Sequence, residues 1–144
     1  MTDFQRITPT FSVAGQLSAA DIARAAGEGF KVIIKNRPEN EDPGQPREAD
    51  LAAAAAAAGI AYRALAFVGP PPPAVVAETA KLLEEVKGPI LAFCRSGQRS
   101  TVAWALAEAL TGRLRPDEIL ALAQAAGYDL RGAREALESL APRP

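Results

Sequence analysis

The chain has 144 residues, 49% hydrophobic and 23% charged, the size and balance of one ordinary soluble domain. Its 16 basic and 17 acidic residues leave a formal net charge of −1, which points neither to nucleic acid nor to a disordered acidic tail. One cysteine and no histidine exclude an internal disulfide, a zinc site built on cysteine pairs, a Ser-His-Asp triad, a Cys-His dyad and any histidine base. Chemistry is left to Cys, carboxylates, Arg, Lys, Tyr and backbone dipoles.

Strand-like and helix-like segments alternate along the chain. Thr10–Ala14 reads as a short extended stretch. Ser18–Ala26 reads as a helix, with Ser18 as N-cap, Asp21 three residues on, and Gly27 and Gly29 as stop signals. Lys31–Lys35 is a β-branched strand, followed by a polar Pro- and Gly-rich loop over 36–45. Pro46–Ala58 is a helix, its alanine run explained by propensity or by a compositional bias of the source, and Ile60–Leu65 is a strand. The loop Ala66–Pro73 ends in four prolines and feeds the helix Ala74–Val86. Ile90–Phe93 is a buried strand, and Ser100–Leu110, Arg115–Ala126 and Leu130–Leu140 are helices. This spacing predicts an α/β fold, one domain over 1–144 with a core of about 6–139, whose mostly parallel sheet is flanked by helices. Ligands of such sheets bind beyond the carboxyl ends of the strands, so the loops that matter are 36–45, 66–73 and 94–99.

Phe93-Cys94-Arg95-Ser96-Gly97-Gln98-Arg99-Ser100 carries the strongest chemical signal. The lone cysteine ends a buried strand, and the residues after it wrap toward a helix N-terminus, where unpaired amides make an anion cradle. Gly97 permits the backbone geometry that converging amides need, and the guanidinium of Arg95 or Arg99 can clamp an oxyanion with two hydrogen bonds. A free thiol titrates at about 8.5, and such surroundings bring it to roughly 3.5–7.5, so Cys94 is expected to be a thiolate near neutral pH. Ser100 is expected to bond the thiolate or cap the helix. The competing view of Cys94 as an inert buried hydrophobe leaves the two flanking arginines without a purpose.

Cys94 and Arg99 are separated by four residues. Cysteine-based protein phosphatases have five there, whereas single-domain rhodaneses have a loop of the length found here. Elsewhere the chain resembles the phosphatase-like domain family first named from beta-lactamase hydrolase-like proteins. The stretches that carry this resemblance are 13–18 (VAGQLS), 29–39 (GFKVIIKNRPE), 43–46 (PGQP), Cys94–Ser100 with Trp104 after it, and 117–120 (DEIL) through 126–130 (AGYDL), over about residues 6–139. The resemblance implies a cysteine-phosphatase-like fold. It also implies sulfur metabolism, since members occur alone or fused to persulfide dioxygenase-type hydrolase domains or sulfide:quinone oxidoreductases.

Phosphatase chemistry of this class needs a thiolate, an arginine-lined cradle and a general acid. The loop Ala66–Pro73 offers no carboxylate, Asp42, Glu39 or Glu41 of the first loop could substitute although nothing in the sequence positions them, and Phe93 stands where the phosphatase pattern has histidine. Losing the acid costs roughly 10²–10⁴-fold. Sulfur transfer releases sulfite or a thiolate, which departs without a proton. The leading expectation is therefore a sulfurtransferase working through a Cys94 persulfide. The alternatives are a phosphatase working through a phosphocysteine and, third, an inactive anion-binding module. A redox-sensor reading is weaker, for want of a resolving cysteine. The expected site is Cys94 and Arg99 as catalytic residues, with Arg95, Ser96, Gly97, Gln98, Ser100 and Arg37 binding the anion. No metal and no cofactor are expected. The expected partners are a small anionic or persulfide substrate and a low-molecular-weight thiol acceptor. No contact with nucleic acid or membrane is expected, and the cytoplasm is the expected compartment, since 1–11 has no signal-peptide pattern.

For Arg37, a place facing the cradle and a solvated turn position stand equal. Lys35 reads as a surface residue at a strand end, Glu39, Glu41 and Asp42 as a solvated loop, Trp104 as core, and Tyr128 and Arg131 as structural.

Overall fold

The computed structural model describes residues 1–142, and Arg143 and Pro144 lie outside the described residues. Five strands, β1 (Gln5–Thr8), β2 (Phe11–Ala14), β3 (Val32–Lys35), β4 (Ala61–Ala64) and β5 (Ile90–Phe93), form one sheet in the order β1-β2-β5-β3-β4. β1 pairs antiparallel with β2, and every other pairing is parallel. The sequence reading anticipates the mostly parallel sheet flanked by helices and misses β1, whose exposed Gln5 and Arg6 give it no apolar run.

β5 is the centre of the sheet and its residues face both layers in turn. Ile90 and Ala92 join a core with Phe11, Val13, Val32 and Ile34 on one face, and Leu91 and Phe93 join Ala14 and Ile33 on the other. Burial on both faces explains why β5 reads as a continuous apolar run. The first face is covered by α3 (Pro73–Glu85), α4 (Gln98–Thr111), α5 (Pro116–Ala125) and α6 (Arg134–Leu140), with a 3-10 turn at Arg131–Ala133. The second is covered by α1 (Ala19–Gly27) and α2 (Glu48–Ala58). α4 is buried on nearly all sides, with Trp104 fully enclosed and its ring 6.3 Å from that of Phe11.

Local chemistry sets the helix ends. Ser18 and Asp21 form the expected reciprocal capping box on α1, and Gly59 closes α2 in the left-handed conformation. The box, with help from Thr2, keeps Asp21 ionised. Burial works against its charge, but the amides of Ser18 and Thr2 and the Ser18 hydroxyl hold its carboxyl down at about 2. None of the described helices is long and apolar enough to cross a membrane.

Candidate active site

Four segments meet at the carboxyl edge of the sheet: Gly15-Gln16 after β2, 36–47 after β3, 65–72 after β4, and 94–97 after β5. The parallel ladder aligns them. The Cys94 amide donates to the Ala14 carbonyl at 3.2 Å, and the Asn36 amide donates to the Phe93 carbonyl at 2.8 Å. The last residue of β5 therefore delivers the buried thiol between two neighbouring strand ends.

The chain turns sharply at Gly97, which has φ 93° and caps α4. An added Cβ there would lie 2.2 Å from the Tyr128 hydroxyl oxygen, so glycine is required by conformation and by space. The turn aims the Gly97 amide at Cys94 Sγ, 3.1 Å away. Among the described residues no protein oxygen accepts from the amides of Arg95, Ser96, Arg99 or Ser100, whereas Gln98 donates to Ser96 Oγ at 3.4 Å. These unpaired donors surround the start of α4, where its dipole is positive. α4 begins at Gln98, two residues earlier than the sequence suggests, so Gln98, Arg99 and Ser100 lie in its first turn.

Arg99 is fixed from three directions. Nη1 and Nη2 donate to the two carboxylate oxygens of Glu41 at 2.9 and 2.7 Å, and Nη1 also donates to the Phe67 carbonyl at 3.2 Å. No described oxygen accepts from its Nε, and the guanidinium is close enough to feel the charge of Cys94. The end-on fork of Arg99 is thus tied to protein, while its Nε has no oxygen partner among the described residues. The Arg99 bonds hold the Glu41 carboxyl at about 2 against the effect of burial, and Arg37 adds to them. In return Glu41 raises Arg99 above its ordinary value.

Arg37 is buried, with Nε on Glu41 at 2.9 Å, Nη1 on Gln16 Oε1 at 3.0 Å and Nη2 on Asp42 at 2.6 Å. It is neither a solvated turn residue nor a direct lining of the cradle, and it braces Glu41 from behind. Arg95 is two-thirds exposed and lies 3.7 Å from Asp42. Ser100 is a correction: its hydroxyl neither caps α4 nor touches the sulfur. It donates to Asn36 Oδ1 at 2.8 Å, while Asn36 Nδ2 donates to the Leu65 carbonyl at 2.9 Å, so this buried pair ties α4 to β3 and the end of β4.

One further expectation is corrected and two are refined. Lys35 is fully buried and pairs with Glu39 at 3.2 Å and Glu48 at 3.1 Å, because its register neighbours Phe93 and Ala64 enclose it at the sheet edge. Glu39 and Asp42 keep much of their carboxylate surface in solvent, yet with Glu41 they form an ion-pair network, since each accepts from a buried or largely buried cation. Tyr128, expected to be structural, also reaches the Cys94 loop. Its hydroxyl donates to the Ser96 carbonyl at 3.1 Å, and burial first, then the Cys94 charge, raises its phenol. Two basic residues, Lys35 and Arg37, among three acidic ones, Glu39, Glu41 and Asp42, are the signal in the sequence for an ion-pair network; no spacing or charge pattern points to Tyr128.

A mostly parallel sheet whose central strand hands a cysteine to a helix N-terminus with a facing arginine defines the fold class of cysteine-dependent phosphatases. Tk-PTP in its active form has this fold, with TM-score 0.73 and 14% identity over 98% of this chain and 97% of that one. The family model for the phosphatase-like domain of beta-lactamase hydrolase-like proteins matches residues 3–111, and the chain belongs to that family. It is 36% identical over 134 residues, 92% of its length, to the beta-lactamase hydrolase-like protein of Agrobacterium fabrum. The chain spans about a third of that relative, 31% of its length. A candidate phosphatase of Neisseria meningitidis with a solved structure is 30% identical, with TM-score 0.79 over 94% of this chain and 96% of that one.

Proposed function

We propose that the chain is a cysteine-dependent phosphatase acting on small anionic esters, with Cys94 as nucleophile and Arg99 orienting the anion. The observation that carries this reading is the Gly97 amide aimed at Cys94 Sγ, at 3.1 Å, at the head of a helix whose Arg99 is held in place by Glu41 and Phe67. The family and the phosphatase named among its structural neighbours favour this reaction over the sulfur transfer that the sequence puts first. In the first step Cys94 sulfur attacks phosphorus, the P–O bond to the leaving group breaks, and the oxygen departs with its electron pair. In the second, water attacks phosphorus, the P–S bond breaks and the thiolate is restored. The amides of Arg95, Ser96, Arg99 and Ser100, with the Arg99 Nε edge, stabilise charge on the phosphoryl oxygens. The segment 66–73 has no carboxylate, and Glu41 is held ionised on Arg99, so neither protonates the leaving oxygen. Aryl phosphates, whose leaving group departs most readily without a proton, are expected to be turned over faster than alkyl phosphates.

The same absence of an acid favours a second reading, the sulfurtransferase. Cys94 thiolate attacks the sulfane sulfur of thiosulfate or a persulfide, the S–S bond breaks, and sulfite or a thiolate leaves with the electron pair. The resulting Cys94 persulfide passes its outer sulfur to a low-molecular-weight thiol such as glutathione. One pure sample decides between them, given an aryl phosphate in one assay and thiosulfate with glutathione in the other, with intact mass reporting any Cys94 adduct. Aryl phosphate hydrolysis that Cys94→Ser abolishes supports the phosphatase. A Cys94 persulfide without hydrolysis replaces it by sulfur transfer. Turnover of neither, with no adduct, leaves an anion-binding module.

A further inference from the structure

We propose that Tyr128 is a positioning residue for Cys94, acting through the single peptide unit between Ser96 and Gly97. The carbonyl of that unit accepts from the Tyr128 hydroxyl at 3.1 Å, and its amide donates to Cys94 Sγ at 3.1 Å. The C=O and N–H of a trans peptide point in opposite directions. Tyr128 therefore lies behind the loop while the sulfur lies in front of it, and the peptide connects them. A hydrogen bond to the carbonyl draws electron density from the amide nitrogen and makes its N–H a better donor, a cooperative gain that matters most in a buried site. The same contact fixes the peptide plane, because the Tyr128 ring packs where a Gly97 side chain would stand.

The ring is held independently of the loop. The Tyr128 amide donates to the Ala123 carbonyl at 2.9 Å, at the end of α5, and the ring is half-buried against the core that α5 covers. α5 thereby reaches the site although none of its own residues does. The charged groups facing the sulfur, Arg99 from α4 and Glu41 behind it from the segment after β3, make no hydrogen bond to Tyr128 and stay in place when its hydroxyl is removed.

The inference rests on Cys94 being the reacting atom, and its test needs no substrate. Tyr128→Phe keeps the ring and removes the donor. The rate of iodoacetamide alkylation of Cys94 is measured from low to high pH on both proteins, with thermal melting alongside. In the rising part of the profile the variant is expected to alkylate roughly two- to fivefold more slowly, the effect of weakening one charge-assisted hydrogen bond by cooperativity. At the high-pH plateau, where every thiol is ionised, the two rates coincide. Profiles that superimpose throughout, or that differ by one factor at every pH, overturn the proposal, the second being the mark of a packing role alone. Wild-type NMR supplies a check that survives a variant too unstable to study. The Gly97 amide proton and the Tyr128 ring carbon bearing the hydroxyl must both titrate with the alkylation profile, and a Tyr128 carbon that does not follow it refutes the coupling. Turnover that persists in Cys94→Ser overturns the functional reading instead, whatever the alkylation profile shows.

Discussion

Replacing Gly97 by alanine puts one methyl where the Cys94 loop, α4 and Tyr128 meet. The new Cβ would lie 2.2 Å from Tyr128 Oη and 2.9 Å from Cζ, too close for either to remain. An L-residue at φ 93° costs about 1–3 kcal/mol, and overpacking at a site of this kind costs a further ~1–3 kcal/mol. Displacing the ring also loses its hydroxyl bond to Ser96, worth about 0.5–1.5 kcal/mol. A total of about 2.5–7.5 kcal/mol is expected. With an unfolding entropy of about 2.1 cal/mol/K per residue, a 144-residue chain loses about 3 °C in Tm per kcal/mol, so Gly97→Ala should melt roughly 8–25 °C below wild type. Calorimetry on Gly97→Ala, Tyr128→Ala and the double variant checks the origin of the loss. The steric share vanishes when the ring is gone, so the double variant should be more stable than the two single effects together imply, by about 1–2 kcal/mol. A Gly97→Ala protein melting within 3 °C of wild type, or strictly additive single effects, would refute the reasoning.

Ser100→Ala leaves the Asn36 side-chain oxygen buried without its donor, at a cost of about 1–3 kcal/mol, read as a fall of roughly 3–10 °C in Tm. Glu41→Gln removes the carboxylate that orients Arg99, and is expected to raise KM for the anionic substrate more than it lowers kcat; an unchanged KM counts against Arg99 as the anion clamp. The same variant tests the acid limb of stability. Glu41 and Asp21 are held at about 2 in the fold against ordinary values of 4.5 and 3.8, so the stability they contribute is fully present above those values and is lost as pH falls toward 2. Urea midpoints measured from pH 5 to pH 2 should fall less steeply in Glu41→Gln than in wild type.

Features with a local cause were legible in the sequence. The alternation of apolar runs with short loops predicts the mostly parallel sheet. Ser18 with Asp21 predicts the α1 cap, and Cys94 through Ser100 predicts the loop at the head of α4. Residues whose roles depend on distant partners were not legible. Lys35 ends a strand and reads as exposed, yet the pairing of β3 with β5 on one side and β4 on the other encloses it. Ser100 reads as a cap because its partner Asn36 is 64 residues away. Tyr128 reads as packing because a phenol carries no spacing signal, and only the fold of α5 brings it behind Gly97. Glu41 reads as solvated because a charge run is usually a wet surface, and the Arg99 that orients it lies 58 residues away.

The acceptors that set Arg99 lie 58 residues away at Glu41 and 32 residues away at Phe67. No fragment that lacks the loop after β3 carries an oriented arginine, and contacts of such separation are expected to form after the loops between them have closed. Chemistry at Cys94 therefore reports on completion of the whole chain topology. In a refolding experiment the wild-type thiol should gain its native alkylation behaviour only in the last kinetic phase, after helix content has recovered, so the protein carries its own folding probe in its one sulfhydryl.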